Sequence, residues 1–149
     1  MRGMASCGLG EGSAFGKKKR PVNLLHPILV HFPVAFFTLE FFLLAAWLMK
    51  KYEGRGFAAL VFRLGYAILI FSALTGFRNS GGFGNMGPAV WRHFLSAAAL
   101  FGTATVKLAG ETFWPAFFET PAVLLFSSFT NVTVTLVTAF LGGWIVYGS

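Results

Sequence analysis

Aspartate is missing from this 149-residue chain, and charged residues of every kind make up only 11% of it. A soluble domain carries about 25%. Cysteine is nearly missing as well. Cys7 stands alone, which excludes an internal disulfide and any cysteine-based zinc or iron–sulfur site. "MASC" at the start has no apolar run before it, so it does not read as a lipoprotein signal, and the first apolar run is expected to direct insertion. The roughly ten-residue alternating segments of a transmembrane β-barrel are absent, and no internal repeat is evident. Little chain is left over for a soluble catalytic domain, so no independent enzymatic activity is expected.

What remains is 56% hydrophobic and 17% aromatic, with nineteen phenylalanines. A membrane-crossing helix needs about 20 apolar residues. The chain offers four such runs, at about 24–49, 57–77, 89–109 and 121–147. Pro88 and Pro121 mark the starts of the last two. The expected fold is an all-α membrane protein, a bundle of four transmembrane helices with both termini on one side. Residues 1–20, Gly-rich and then basic ("GKKKR"), read as a flexible tail, and 21–149 read as the transmembrane domain. The connection "GETFWPAFFET" suits a segment lying at the membrane interface.

Net charge is +7. The basic residues sit mostly at span ends and in the tail, so anionic headgroups explain them and nucleic acid is not expected. On the side of the termini lie Arg2, Lys17, Lys18, Lys19, Arg20, Arg78 and Arg92; on the other lie Lys50, Lys51, Arg55, Arg63 and Lys107. The seven-to-five bias puts the termini in the cytoplasm.

The polar residues of the spans carry the functional reading. Spans 1 and 3 both begin on the side of the termini, so His26, His31 and His93 lie toward one membrane face, with Thr75-Gly76 and the end of span 4. His26 and His31 are five residues apart, about 140° around a helix, and cannot both face one metal from a regular helix. Pro27 puts His26 at or before the helix start. Pro33 removes a helical hydrogen bond and frees the Leu29 carbonyl, so residues 26–33 are expected to form a broken helix start. Imidazoles on facing helices are the usual axial ligands of a transmembrane b-type haem. His31 with His93 is the preferred pair, with His26 as alternative ligand or as a hydrogen-bonding group near a quinone. A chlorophyll-type pigment could also use one histidine. The competing reading is that the histidines only tie helix ends together. Phe32, Phe36 and Phe37 could wall a flat ring.

Glu40 lies mid-span, about 13 Å below His31. An intramembrane carboxylate marks function or a local ion pair. A pair with Arg63, entering from the opposite side, is the expectation; Lys107 sits at a similar level on span 3. Span 4 carries Ser127, Asn131, Thr135, Thr138 and Gly142, a polar-to-small stripe suited to helix packing.

The opening stretch "LHPILVHFPVAF" resembles the HP-x-x-V-H-F-P-[IV]-A signature of a family of small bacterial predicted membrane proteins, domain of unknown function 2231. Here the signature reads His26-Pro27 and Val30-His31-Phe32-Pro33. Thr75-Gly76, His93 and the run from Gly142-Gly143 to Val146-Tyr147 occupy the family's other recurring positions, over roughly 24–149. Trp144 stands where the family more often has a polar or acidic residue. The resemblance implies about four spans and a redox association, since the domain is found beside cytochrome c or Rieske-type domains.

The resulting expectation is a subunit of a bacterial electron-transfer complex in the inner membrane. It would contact lipid and other membrane subunits, and carry haem b or shape a quinone or pigment site. A purely structural subunit and a small transporter using Glu40 are the alternatives.

Overall fold

The computed structural model describes residues 25–49, 54–80 and 87–147. The tail 1–20, Lys50, Lys51 and most of the Gly-rich stretch after Ser80 lie outside these residues, as do the side chains of His26, Val146 and Tyr147. The described chain is helical: α1 (Leu25–Leu48), α2 (Arg55–Ser80), α3 (Pro88–Phe113), a single turn α4 (Pro115–Phe118) and α5 (Pro121–Tyr147). Among the described residues there is no strand.

Three helices are long and apolar enough to cross a membrane, over Leu29–Leu48, Arg55–Arg78 and Pro121–Ile145. The sequence led us to expect four. α3 matches the others in length, at 26 residues, and is the one long helix here that carries charges of both signs, Arg92, Lys107 and Glu111.

Each long helix turns one narrow stripe inward. On α1 it is Pro33, Phe37, Glu40 and Leu44; on α2 it is Ala58, Phe62, Gly65, Leu69 and Ser72; on α3 it is Leu100, Ala104, Lys107 and Gly110; on α5 it is Leu124, Ser128, Asn131, Thr135 and Thr138. Steps of three and four residues keep one face of a 3.6-residue helix. The outward faces are apolar too: Phe42, Phe71, Phe126 and Phe140 are all exposed. A surface this apolar requires lipid or protein around it.

The core has two parts. Phe37, Phe62, Leu69, Leu100 and Ala104 fill the middle, and Leu44, Ala58 and Leu124 fill one end. α1 packs closely on α2 and on α5, and α3 packs on α5, while α2 and α3 touch only sparsely. Tyr66 carries part of that thin seam, with its hydroxyl 2.8 Å from Thr105 Oγ1 and its ring stacked on Phe101. The close α1–α2 approach depends on Gly65, whose missing side chain leaves room for Phe36 and Phe37. Val30, Gly76, Val90 and Ala139 line one cavity. The starts of α1 and α3 and the ends of α2 and α5 therefore share one end of the bundle.

The expected break at residues 26–33 is not found. α1 runs unbroken from Leu25, takes His26 into its first turn and carries Pro33 inside. Pro27 falls in the first turn, where an amide hydrogen has no intrahelical acceptor anyway. Pro33 then costs a single hydrogen bond, in the third turn of the helix.

Candidate functional site

α3 enters the bundle through Gly87 and Pro88, with Pro at its first position, which presets the helical backbone without wasting a donor. His93 follows in the second turn. Its Nδ1 lies 3.1 Å from the carbonyl oxygen of Thr138 on α5. A carbonyl only accepts, so Nδ1 carries the hydrogen and donates it. In the neutral ring the other nitrogen, Nε2, then holds a lone pair. The ring lies against Gly142: a β-carbon there would stand 3.0 Å from His93 Cε1. Gly142 thus makes the space in which the imidazole sits.

The imidazole borders a cavity of about 250 Å³ walled by all four long helices. Val30, Pro33 and Val34 come from α1; Leu69, Ser72, Gly76 and Phe77 from α2; Phe94, Ala97 and Phe101 from α3; Thr135 and Thr138 from α5. The wall is overwhelmingly apolar, and it lies on the α2–α3 side where packing is thinnest. Thr138 has little polarity to offer, because its hydroxyl donates to the Val134 carbonyl at 2.8 Å. His93 supplies the one imidazole among the lining residues.

The sequence-derived ligand pair does not meet here. His31 is exposed and forms no part of the wall. On α1 it sits about 100° around the helix from Val30, which does line the cavity. A haem clasped between His31 and His93 therefore does not fit the described cavity. The expected aromatic wall also differs: Phe32 is exposed and Phe37 is in the core, while Phe77, Phe94 and Phe101 supply the rings. Among the described residues no three His, Cys, Asp or Glu side chains are grouped to hold a metal.

A second polar centre lies deeper. Glu40 is buried, and its partner is Lys107 in place of the expected Arg63. Arg63 is exposed on α2; it lies off the stripe that holds Phe62 and Gly65, one residue after the first and two before the second. Ser128 joins the pair, with its Oγ 2.6 Å from Lys107 Nζ and donating to Glu40 Oε1 at 2.7 Å. Lys107 Nζ also stands 4.5 Å over the Phe62 ring and 3.7 Å from Glu111 Oε1.

Ser128, missed in the sequence, replaces Ser127 as the first member of the polar stripe. Ser127 is half-buried and bonds back to the Leu124 carbonyl at 3.0 Å. The signal was available: Ser128, Asn131, Thr135, Thr138 and Gly142 follow steps of three, four, three and four, a stricter single face than one begun at Ser127. Asn131, Thr135 and Thr138 are buried as part of that face.

The family model described as "Predicted membrane protein (DUF2231)" matches residues 23–149. No curated protein and no solved structure matches the chain.

Proposed function

The chain belongs to the DUF2231 family of predicted membrane proteins, and on that premise we propose that it is a four-span membrane subunit that binds the head of a lipid-soluble hydroquinone beside His93. α3 is the fourth span in this reading, its Lys107 and Glu111 turned to one another and to Glu40 and so not presented to lipid. Intramembrane charges are tolerated in that arrangement.

The observation that carries the reading is the contact between His93 Nδ1 and the Thr138 carbonyl, which selects the tautomer. With Nδ1–H given to Thr138, Nε2 offers an acceptor and no donor at the edge of an apolar cavity. A hydroquinone brings a hydroxyl donor on a flat ring, with an apolar tail. At Nε2 a quinone carbonyl meets a second acceptor, so the reduced form is favoured there. The size also suits: about 250 Å³ is near the lower end of ligand pockets, about 300–1,000 Å³, and right for a single ring with its tail left in lipid. Sparse α2–α3 packing provides a lateral way in from the bilayer. The expected bacterial electron-transfer setting, with other subunits as redox partners, follows from such a ligand.

Titration of a short-chain benzoquinol into the full chain in lipid nanodiscs tests this. The expected result is saturable binding, weaker by about tenfold or more for the oxidised quinone and for His93→Phe. Equal binding of both redox forms, or binding indifferent to His93→Phe, contradicts it.

A further inference from the structure

The cavity beside His93 is lined by three residues that carry a hydroxyl, Ser72, Thr135 and Thr138. Two of the hydroxyls are spent on their own helix. Thr135 donates to the Asn131 carbonyl at 2.6 Å and Thr138 to the Val134 carbonyl at 2.8 Å. Helical serines bond back in the same way, as Ser96 and Ser127 do, each to the carbonyl three residues before it. Ser72 departs from this pattern. Among the described residues no group hydrogen-bonds its hydroxyl, and the Thr75 hydroxyl nearby donates to the Ser72 carbonyl instead, at 3.0 Å. Ser72 is 5% exposed. Buried polar groups are rarely left without a partner, and the space beside this one is the cavity.

The helix register sets Ser72 apart from His93 in depth. Tyr66 of α2 faces Thr105 of α3 across the seam between them. The two helices run antiparallel, so Ser72 comes level with Ala99, six residues along α3 from His93. At about 1.5 Å per residue that is about 9 Å along the bundle. Gly76, Ala97 and Ala98 line the apolar stretch between. The cavity therefore holds two uncommitted polar groups at two depths: an imidazole nitrogen that accepts and a hydroxyl that can donate.

We propose that Ser72 is the second hydrogen-bonding residue of this cavity and selects a ring with oxygens at opposite ends. The proposal rests on the hydroquinone reading of His93 and names what holds the far side of the ring. The near hydroxyl donates to His93 Nε2, and Ser72 donates to the far oxygen. Two para oxygens, with a hydrogen bond of about 2.8 Å at each end, bridge a separation of this order. A 1,3-diol holds its oxygens closer together and at an angle. A plain phenol satisfies His93 alone. Hydroxyl and carbonyl oxygens both accept, so Ser72 grips the reduced and the oxidised ring alike, and the preference between them stays with His93.

Titration of three short-chain probes into the full chain in lipid nanodiscs tests the inference: a benzoquinol, the 1,3-diol with the same tail, and the phenol lacking the far hydroxyl. The wild type should bind the benzoquinol about three- to tenfold more tightly than either of the others, the return of one hydrogen bond. Ser72→Ala should bring the benzoquinol down to the affinity of the phenol and leave the phenol unchanged. Alanine favours the helix, and Ser72→Cys, with a weaker donor on the same stem, should show the same loss. A benzoquinol affinity indifferent to Ser72→Ala, an equal loss for the phenol, or a 1,3-diol bound as tightly as the benzoquinol would overturn the role of Ser72. In each of those cases phenol binding that falls in His93→Phe leaves the hydroquinone reading standing. Binding of all three probes indifferent to His93→Phe overturns both.

Discussion

Glu40 on α1 and Lys107 on α3, 67 residues apart, meet as a buried ion pair closed over by Ser128 of α5. Three helices are pinned at one level by three side chains. Removing one charge leaves the other buried and unpaired, which costs about 3–5 kcal/mol. Lys107→Met should therefore lower stability by that order in a denaturant titration of the detergent-solubilised chain. Adding Glu40→Leu to it should recover most of the loss, because an apolar pair of similar volume needs no desolvation. A double variant as unstable as the single one would contradict the pairing.

Ser128 and Ser127 are neighbours with opposite fates. Ser128→Ala deletes a hydrogen bond to a buried carboxylate, a loss of about 1.5–3 kcal/mol. Ser127→Ala deletes only a bond back to its own helix and should change stability by less than about 0.5 kcal/mol. Melting temperatures of the two variants side by side would decide which serine faces inward.

Much of the architecture was legible before any coordinates, and the reason is physical. Long apolar runs bounded by Pro and Gly admit little but helices. What stayed hidden was rotation. When a helix is apolar on every side, hydrophobic periodicity no longer tells which face is inside. Glu40 could then be placed at the right depth yet assigned to Arg63, and the stripe of α5 could be begun one residue early. His31 failed for the same reason: depth put it near His93, and its angle around α1 turned it out of the cavity wall. For His93 the end of the bundle was legible, since the order of the spans placed it with the ends of α2 and α5. Its tautomer was not, because the Thr138 carbonyl 45 residues away sets it.

Glycine positions separate tight from open helix faces. A β-carbon at Gly65 would meet Phe36 Cβ at 2.9 Å, and that atom cannot swing aside. Gly65→Ala should destabilise by about 1–3 kcal/mol through overpacking. Gly56 and Gly102 have nothing within 4 Å, and alanine at either should be neutral or should stabilise by up to about 1 kcal/mol through helix propensity. Thermal unfolding of the three variants checks the order.

The same contrast applies next to the ligand site. A side chain at Gly142 pushes on the His93 ring, whereas Gly143 has nothing within 4 Å. Gly142→Ala should weaken benzoquinol binding at least several-fold and Gly143→Ala should leave it unchanged, as read by titration in nanodiscs. Equal affinities in the two variants would separate His93 from the ligand.

Nitrogen-15 NMR of the His93 ring, in chain labelled at histidine and reconstituted in lipid, tests the central claim most directly. The His93→Phe variant provides the assignment. The account predicts a protonated Nδ1 and a bare Nε2 in the free protein, with the Nε2 resonance moving on addition of benzoquinol and Nδ1 holding still. A hydrogen found on Nε2, or an Nε2 resonance that ignores the quinol, would contradict it.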